Sequence, residues 1–425
     1  MDAADITALA TPDGEVLLAE VSRALVSSSE LSVLERVGAR VGPARASAAL
    51  AQVTLRAKAV AKFGAADAAR MFFTPTGLEQ ATRGRVATHR TAVAADRIGG
   101  GPLTDLGCGL GADLIAFARA GFDVTGVELD PLTAACAAAN LRSLGLPGRV
   151  VVGDATSTDR PDGGVVFCDP ARRDDRGRVF DLAKVTPPWP FVLELLAGTA
   201  CVKVGPGIAH RDVPTSVDAN PVSVEWVSDD GTVTEACLRS GRLADPADPA
   251  DRGVTGRVFS ATVLTSDDPR GSTLTGDPSV RASAGALGEY LYEPDGAVIR
   301  AGLIGTLAPS LHAHLLDDQI AYLSSPTLIR SPFARPYRIL DELPHRKRAL
   351  KGAVRALGIG TLTIKKRGVD VDPAVLRREL LGLHGHGSAT ATIVLTRRAG
   401  RGVALLVEPT DRPTGQPTSS SRLTD

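Results

Sequence analysis

Zinc and disulfide chemistry need cysteine or histidine in clusters, and this 425-residue chain has little of either. Its five cysteines, Cys108, Cys136, Cys168, Cys201 and Cys237, form no C-x-x-C pair. That excludes a zinc ribbon or a disulfide framework and leaves small buried thiols as the expectation. Of seven histidines, the closely spaced pairs are His312 with His314 and His384 with His386. Neither pair has a further ligand beside it, so no metal site is expected. Net charge is also absent, with 48 Lys and Arg against 48 Asp and Glu, so a nucleic-acid partner has to be read from local charge. No apolar run approaches eighteen residues, and Met1-Asp-Ala-Ala-Asp5 has neither a basic start nor an apolar core. A membrane span and a secretory leader are therefore not expected, and the chain reads as cytoplasmic.

What is present is a soluble, globular composition, 44% hydrophobic and 23% charged, at a length that suits two to four domains. The chain is organised around Leu103-Thr-Asp-Leu-Gly-Cys-Gly-Leu-Gly-Ala-Asp113 and, on a following strand, Asp123-Val-Thr-Gly-Val-Glu-Leu-Asp-Pro131. An apolar strand runs into a turn with Gly107, Gly109 and Gly111, a helix starts near Ala112, and a second strand ends at Glu128. Gly107 and Gly109 permit positive φ and a close backbone approach to a ligand, and the helix start offers free N–H groups. Asp113 lies in that first turn and is counted, with the three glycines, among the cofactor-binding candidates. Glu128, at the carboxyl end of the second strand, suits a ribose diol.

The spacing is G-x-G-x-G rather than the dinucleotide fingerprint G-x-G-x-x-G, and Asp105 precedes it. A carboxylate there repels pyrophosphate and suits the ammonium of a methionine moiety. These residues resemble the class I S-adenosylmethionine-dependent methyltransferases, whose first motif looks like Asp-Leu-Gly-Cys-Gly-x-Gly. The resemblance implies S-adenosyl-L-methionine as cofactor. In that class a segment just before the glycine loop often folds over the cofactor. Here it is Met71-Phe-Phe-Thr-Pro-Thr-Gly-Leu-Glu-Gln-Ala-Thr82, which puts Gln80 and Thr82 in reach of cofactor or substrate. The same segment also reads as a capped helix start with Phe72 and Phe73 in the core.

Strands expected at 103–106, 123–127, 149–152, 164–168 and 200–204, with helices between the early ones, predict a parallel, doubly wound sheet. The cofactor then lies across the strands' carboxyl ends. The third strand ends at Asp154, which can accept from the exocyclic amine of adenine or cap the next turn. The fourth ends in Cys168-Asp-Pro-Ala-Arg-Arg173. Amino-methyltransferases place a similar Asp/Asn-Pro-Pro-Tyr sequence there to hold the target amine, so Asp169 and Pro170 are the acceptor-positioning candidates. Ala171-Arg172 does not complete that motif. Phe180 or Trp189 is a substitute stacking face, and Arg172 and Arg173 are donors for phosphate or carboxylate. Lys203, at the end of the fifth strand, lines the site or snorkels at the sheet edge. Two alternating stretches joined by Ser-Asp-Asp-Gly within 222–238 read as a hairpin, which closes the sheet in class I methyltransferases and is lacking in NAD-binding domains.

Before the glycine loop, helical spacing of apolar residues over 11–70 predicts a helical domain with a break at Gly42-Pro43. After the hairpin, Gly288-Glu-Tyr-Leu-Tyr-Glu-Pro-Asp295, taken with Asp-Pro-Ala-Arg-Arg, resembles a bacterial family. Its members join a class I methyltransferase domain to a ferredoxin-like domain and a C-terminal THUMP-like domain. The expected fold is thus α/β, a Rossmann-like sheet with a helical domain before it and small α+β domains after it. The expected divisions are 1–95, 96–265, 266–340, 341–410 and a disordered tail over 411–425.

THUMP domains occur in RNA-modifying enzymes, so the resemblance implies an RNA partner, tRNA or rRNA. The C-terminal region carries its own electrostatic footprint. Between Arg335 and Arg378 stand twelve Lys and Arg against four Asp and Glu, including Arg346, Lys347, Arg348, Lys365, Lys366 and Arg367. The expected elements there are helices at 345–357 and 373–382 and strands at 360–366, 389–397 and 402–407. The expected activity is methyl transfer to structured RNA, with a base amine as one acceptor. A small-molecule or protein acceptor, and a non-catalytic binding role, are the alternatives.

Overall fold

The computed structural model describes residues 1–160, 163–172, 182–245, 258–382 and 387–410, with the backbone alone at 171, 172 and 183. They fall into two compact units, one built on residues 1–245 and the other on 259–263 and the residues from 272 onward. Arg173, Phe180, His384, His386 and the 411–425 tail lie outside the described residues. No described helix is long and apolar enough to cross a membrane.

The first unit opens with helices α1 (Ala3–Leu9), α2 (Pro12–Leu25), α3 (Glu30–Val41) and α4 (Pro43–Ala68). The apolar spacing suggested two blocks. The extra breaks come from side chains that offer an oxygen to a helix start, Thr11 Oγ1 accepting from Gly14 N–H at 3.2 Å and Ser29 Oγ from Ser32 N–H at 3.3 Å. Leu17, Val21, Val33, Val37 and Leu55 form the interior of this bundle. Phe72 and Phe73 are fully buried in the same core, so the core reading of these aromatics holds. Two buried amides fix their backbone. Gln52 bonds both N–H and C=O of Phe73, and Asn140 bonds both groups of Phe72 and also the Leu110 carbonyl. The segment leading to the cavity is thereby tied to the glycine loop.

Next come α5 (Pro75–Gln80), α6 (Gly84–Ile98), β1 (Gly101–Leu106), α7 (Ala112–Arg119), β2 (Phe122–Glu128), α8 (Pro131–Leu144), β3 (Arg149–Val152) and β4 (Val165–Cys168). A two-residue bridge pairs β5 (Ala171–Arg172) with β6 (Val185–Thr186), followed by α9 (Trp189–Leu196) and β7 (Ala200–Val204). The short β8 (Ser216–Val217) leads into the hairpin of β9 (Asn220–Asp229) and β10 (Thr232–Ser240). The sheet order is β9-β10-β7-β4-β1-β2-β3. β3, β2, β1, β4 and β7 are parallel, while β10 and β9 run antiparallel and close the sheet, as expected. The strand order reverses at β1. That switch point opens a crevice at the carboxyl ends of the strands.

In the second unit β11 (Phe259–Leu264) and β12 (Ser272–Gly276) form an antiparallel pair. After them come β13 (Tyr290–Pro294), α10 (Gly296–Ala301), α11 (Ile304–Ser310), β14 (His314–Asp317), β15 (Ile320–Ser325), β16 (Ala334–Leu343), α12 (Lys347–Ala356), β17 (Ile359–Lys366), α13 (Pro373–Leu381), β18 (Ala389–Arg398) and β19 (Arg401–Pro409). Seven of these strands make one sheet in the order β14-β15-β13-β16-β19-β18-β17. The division expected at 340–341 falls inside β16, which pairs with β13 on one side and β19 on the other. Leu350 and Val354 of α12 and Leu376 and Leu380 of α13 pack on Ile359, Leu362, Ile393 and Leu395.

Candidate active site

The crevice is a cavity of about 890 Å³. Gly107 and Gly109 line it with φ of +79° and +55°, and an added Cβ at either would meet nothing within 4 Å. Their backbone conformation, not crowding, makes glycine the suitable residue there. Gly111, with φ +82°, caps α7. Glu128 Oε2 accepts from Gly109 N–H at 2.9 Å and Oε1 from Asp130 N–H at 3.0 Å, so this carboxylate shapes the loop as well as lining the cavity. Asp154 also lines it, and its Oδ1 accepts from the N–H and hydroxyl of Thr156, which holds its carboxyl below the usual carboxylate range. Asp154 thus holds the turn that follows it and also lines the cavity. Gln80 lines the cavity as well and is exposed.

Asp105 is different. It is 1% exposed, lines the cavity, and among the described residues has no hydrogen-bond donor to either carboxylate oxygen. Burial pushes its carboxyl up to about 8, and the charges of Asp169 and Glu128 add to the rise while Arg90 and Lys203 oppose it. A buried carboxylate without donors is costly until a cation or N–H group reaches it. A positively charged ligand atom, such as an amino acid's ammonium, fits beside such a group.

Asp113, by contrast, is engaged. Its Oδ2 accepts from Thr82 Oγ1 at 2.8 Å and its Oδ1 from the Arg90 guanidinium, so its carboxylate fixes the wall it lines rather than standing free for a ligand. Arg90 is 1% exposed, also donates to Glu235 of β10 at 2.5 Å, and lies over the Phe167 ring at 4.9 Å. On the other side of the switch point, Lys203 Nζ donates to Asp169 Oδ2 at 2.5 Å and to Thr82 Oγ1 at 3.1 Å. Thr82, Asp113, Arg90, Glu235, Lys203 and Asp169 are one hydrogen-bonded chain joining α6, α7, β4, β7 and β10. Local sequence flagged Thr82, Asp113, Lys203 and Asp169; nothing in it flagged Arg90 or Glu235.

Comparison with known proteins decides the chemistry. The family model for a methyltransferase domain matches residues 103–169, the stretch that builds β1, the glycine loop, β2, β3 and β4. A THUMP domain-like model matches 334–409, and a domain of unknown function matches 2–59. Uncharacterized S-adenosylmethionine-dependent methyltransferases from two Mycobacterium tuberculosis strains, CDC 1551 / Oshkosh and ATCC 25618 / H37Rv, are each 34% identical over 348 residues, covering 81% of this chain and 90% of the relative. The chain belongs to the S-adenosylmethionine-dependent methyltransferases. A solved structure of a candidate methyltransferase from Porphyromonas gingivalis W83 shares the fold with a TM-score of 0.75 at 22% identity, over 97% of this chain and 100% of that one.

The methyltransferase takes S-adenosyl-L-methionine as cofactor, and the cavity fits that group where it can be tested, at the orphaned Asp105 carboxylate. Following β4, Asp169 and Pro170 stand in the cavity wall together with Thr186, Pro187 and Pro188. Trp189 is not part of that wall, and the Arg172 side chain, like Phe180, is outside the described residues. In the second unit the six basic candidates divide. Arg346, Lys347, Arg348 and Lys366 are exposed. Lys347 is paired with Glu379 at 2.6 Å, Lys365 with Glu293 at 2.5 Å, and Arg367 lies over the Tyr322 ring at 5.4 Å. Among the described residues no group of three or more His, Cys, Asp or Glu is placed to hold a metal ion.

Proposed function

We propose that this methyltransferase modifies structured RNA, with the C-terminal THUMP-like region holding the RNA by its phosphates while the cavity selects the atom. The observation that carries this reading is α12. Leu350 and Val354 face the core, and Arg348, Lys351 and Arg355, spaced three and four apart, are exposed on the rest of the helix beside exposed Arg346. A helix that spends its outward positions on arginine and lysine is suited to the evenly charged backbone of a folded RNA, tRNA or rRNA. Lys366 and Lys347 extend that set, Lys347 within an exposed pair to Glu379, while Lys365 and Arg367 act through acidic or aromatic neighbours of their own unit. The cytoplasm, where such RNA resides, is the proposed location.

In the cavity, Asp105 receives the ammonium of the cofactor's methionine part, with Gly107, Gly109 and Gly111 giving it backbone room. Glu128 receives the ribose, Asp154 the adenine amine, and Gln80 touches the cofactor from its own place in the lining. Asp113 acts at one remove, holding Thr82 and Arg90 in place. When bound, S-adenosyl-L-methionine supplies a methyl group already activated by a sulfonium. The chain's task is then alignment and water exclusion, for which no strong acid or base at the cofactor is needed. Asp169, Pro170 and Lys203 form the acceptor end, with Arg172 as a donor toward acceptor phosphate.

The test is transfer of labelled methyl to total RNA from a strain lacking the gene, comparing the full chain with Asp169→Ala. Label in RNA that requires Asp169 is the expected result. Intact cofactor binding with unlabelled RNA would redirect the acceptor to protein or metabolites.

A further inference from the structure

The acceptor end pairs a donor with an acceptor, and that pairing discriminates among acceptor chemistries. The inference rests on the RNA reading above. Asp169 directly follows β4 and Lys203 lies near the end of β7, adjacent parallel strands on the opposite side of β1 from Glu128 and Asp154. Both line the cavity, with side chains 34% and 16% exposed. Lys203 spends two of its three N–H donors on Asp169 Oδ2 and Thr82 Oγ1. Thr82 in turn donates to Asp113, so its hydroxyl hydrogen is committed and its oxygen is turned to the ammonium. One ammonium hydrogen and Asp169 Oδ1, which has no hydrogen bond among the described residues, are left over on two groups already joined at 2.5 Å.

An exocyclic amine is poorly served by this pair. Its nitrogen gains positive charge as the methyl arrives, and a lysine ammonium beside the carboxylate opposes that charge. A lactam edge, an N–H next to a carbonyl, is served at both atoms. We infer that Lys203 and Asp169 together read a lactam edge, so that the acceptor is a ring N–H beside a carbonyl, as at guanine N1 next to O6 or uracil N3 next to O4. The N–H bond breaks and its proton passes to Asp169 Oδ1. The negative charge left on the base is delocalised onto the carbonyl oxygen, where the Lys203 ammonium donates to it. The freed nitrogen pair bonds to the methyl carbon that the enzyme's activity supplies, and the carbon–sulfur pair stays on sulfur. Lys203 thereby becomes a catalytic residue of the acceptor, with Thr82 as its positioning residue.

The first measurement is nucleoside analysis of RNA from a strain lacking the gene after incubation with the full-length protein and labelled cofactor. N1-methylguanine or N3-methyluracil is the expected product. Methyl on an exocyclic amine, a ring carbon or a ribose hydroxyl overturns the lactam inference and leaves the RNA reading standing. Unlabelled RNA with cofactor bound overturns the RNA reading and this inference with it. A second readout needs no turnover: binding of the four free nucleosides to protein saturated with S-adenosylhomocysteine, which has no methyl to give. Guanosine or uridine should bind at least about tenfold more tightly than adenosine and cytidine, the size of one charge-assisted hydrogen bond. Lys203→Met should abolish that preference and Lys203→Arg should retain most of it. Equal binding of all four, or a preference unchanged in Lys203→Met, rejects the assignment.

Discussion

Asp113 and Arg90 are joined in the interior of the methyltransferase, a carboxylate from the first turn of α7 against a guanidinium from α6, and Glu235 closes the pair from β10. Replacing Arg90 by Leu leaves two buried carboxylates without their cation. Truncating one partner of such a buried group costs about 3–5 kcal/mol. Urea denaturation should therefore show Arg90→Leu destabilised by that order, with the midpoint moved and the slope kept. A loss under about 1 kcal/mol, the scale of exposed pairs, would mean that water reaches the two carboxylates.

Asp105 makes stability depend on pH in the opposite sense from a surface carboxylate. Its folded carboxyl is raised from 3.8 to about 8 by burial, so over that interval the folded state keeps a proton that the unfolded state has lost. The folded state therefore binds more protons, and stability should fall as pH rises from about 4 to about 8. Asp105→Asn removes the group. Its stability should be less sensitive to pH over that window, and at pH 8 it should exceed that of the parent chain. Equal pH slopes in the two proteins would show that the Asp105 carboxyl is not raised.

The same residue predicts a proton signature for cofactor binding. A cationic ammonium beside Asp105 favours the carboxylate, so binding at pH 7 should release a proton, visible as a binding heat that changes with the ionisation heat of the buffer. Asp105→Asn should lose that release and weaken affinity about tenfold or more, since hydrogen bonds to charged groups contribute about 1.5–3 kcal/mol. A buffer-independent heat in the parent would place the ammonium elsewhere.

How much of this was legible in the sequence follows from the range of each interaction. The strands of the first sheet, the glycine turn and the hairpin were legible because apolar runs, alternation and glycine are local signals. Arg90 was not. It sits in an ordinary helix, and its partners are 23 and 145 residues away in the chain. Lys365 reads as part of a basic run, Lys365-Lys-Arg367, yet successive strand residues face opposite ways. Lys365 and Arg367 share the side that meets Glu293, Tyr337 and Tyr322, while Lys366 is exposed. The Tyr-Leu-Tyr-Glu-Pro-Asp stretch is explained by the same contacts. Tyr292 OH accepts from Ile329 N–H, Glu293 holds Lys365 and the Tyr337 hydroxyl, and Asp295 caps α10. A motif that marks the family is here a set of packing and hydrogen-bonding joints.

Glu128 separates a cofactor role from a scaffold role. Because it accepts from Gly109 and Asp130, Glu128→Ala should cost about 1–2 kcal/mol of stability through two backbone N–H groups left to water, and should also weaken cofactor binding. Glu128→Gln keeps one acceptor oxygen for the loop. It should recover no more than about half of the stability and little of the affinity, because a neutral amide has a single acceptor oxygen to share between the loop and the ribose. Thermal unfolding and calorimetry on the two variants read the two effects independently. Recovery of both by glutamine would assign Glu128 to the loop alone.

The α12 face predicts how RNA binding should respond to salt. Each lysine or arginine on a phosphate releases counterions, so the slope of log K against log salt falls by about one for each contact removed. Changing Arg348, Lys351 and Arg355 to Gln should reduce the slope by about two to three and weaken binding to structured RNA with little regard to sequence. These side chains are exposed and the buried Leu350 and Val354 are untouched, so the fold should be preserved. Lys365→Gln is the internal contrast. It breaks the pair with Glu293 at 2.5 Å and should cost stability of the second unit while leaving the salt slope close to that of the parent. A slope that drops as far with Lys365→Gln as with an α12 change would move the phosphate-binding face from the helix to the strand.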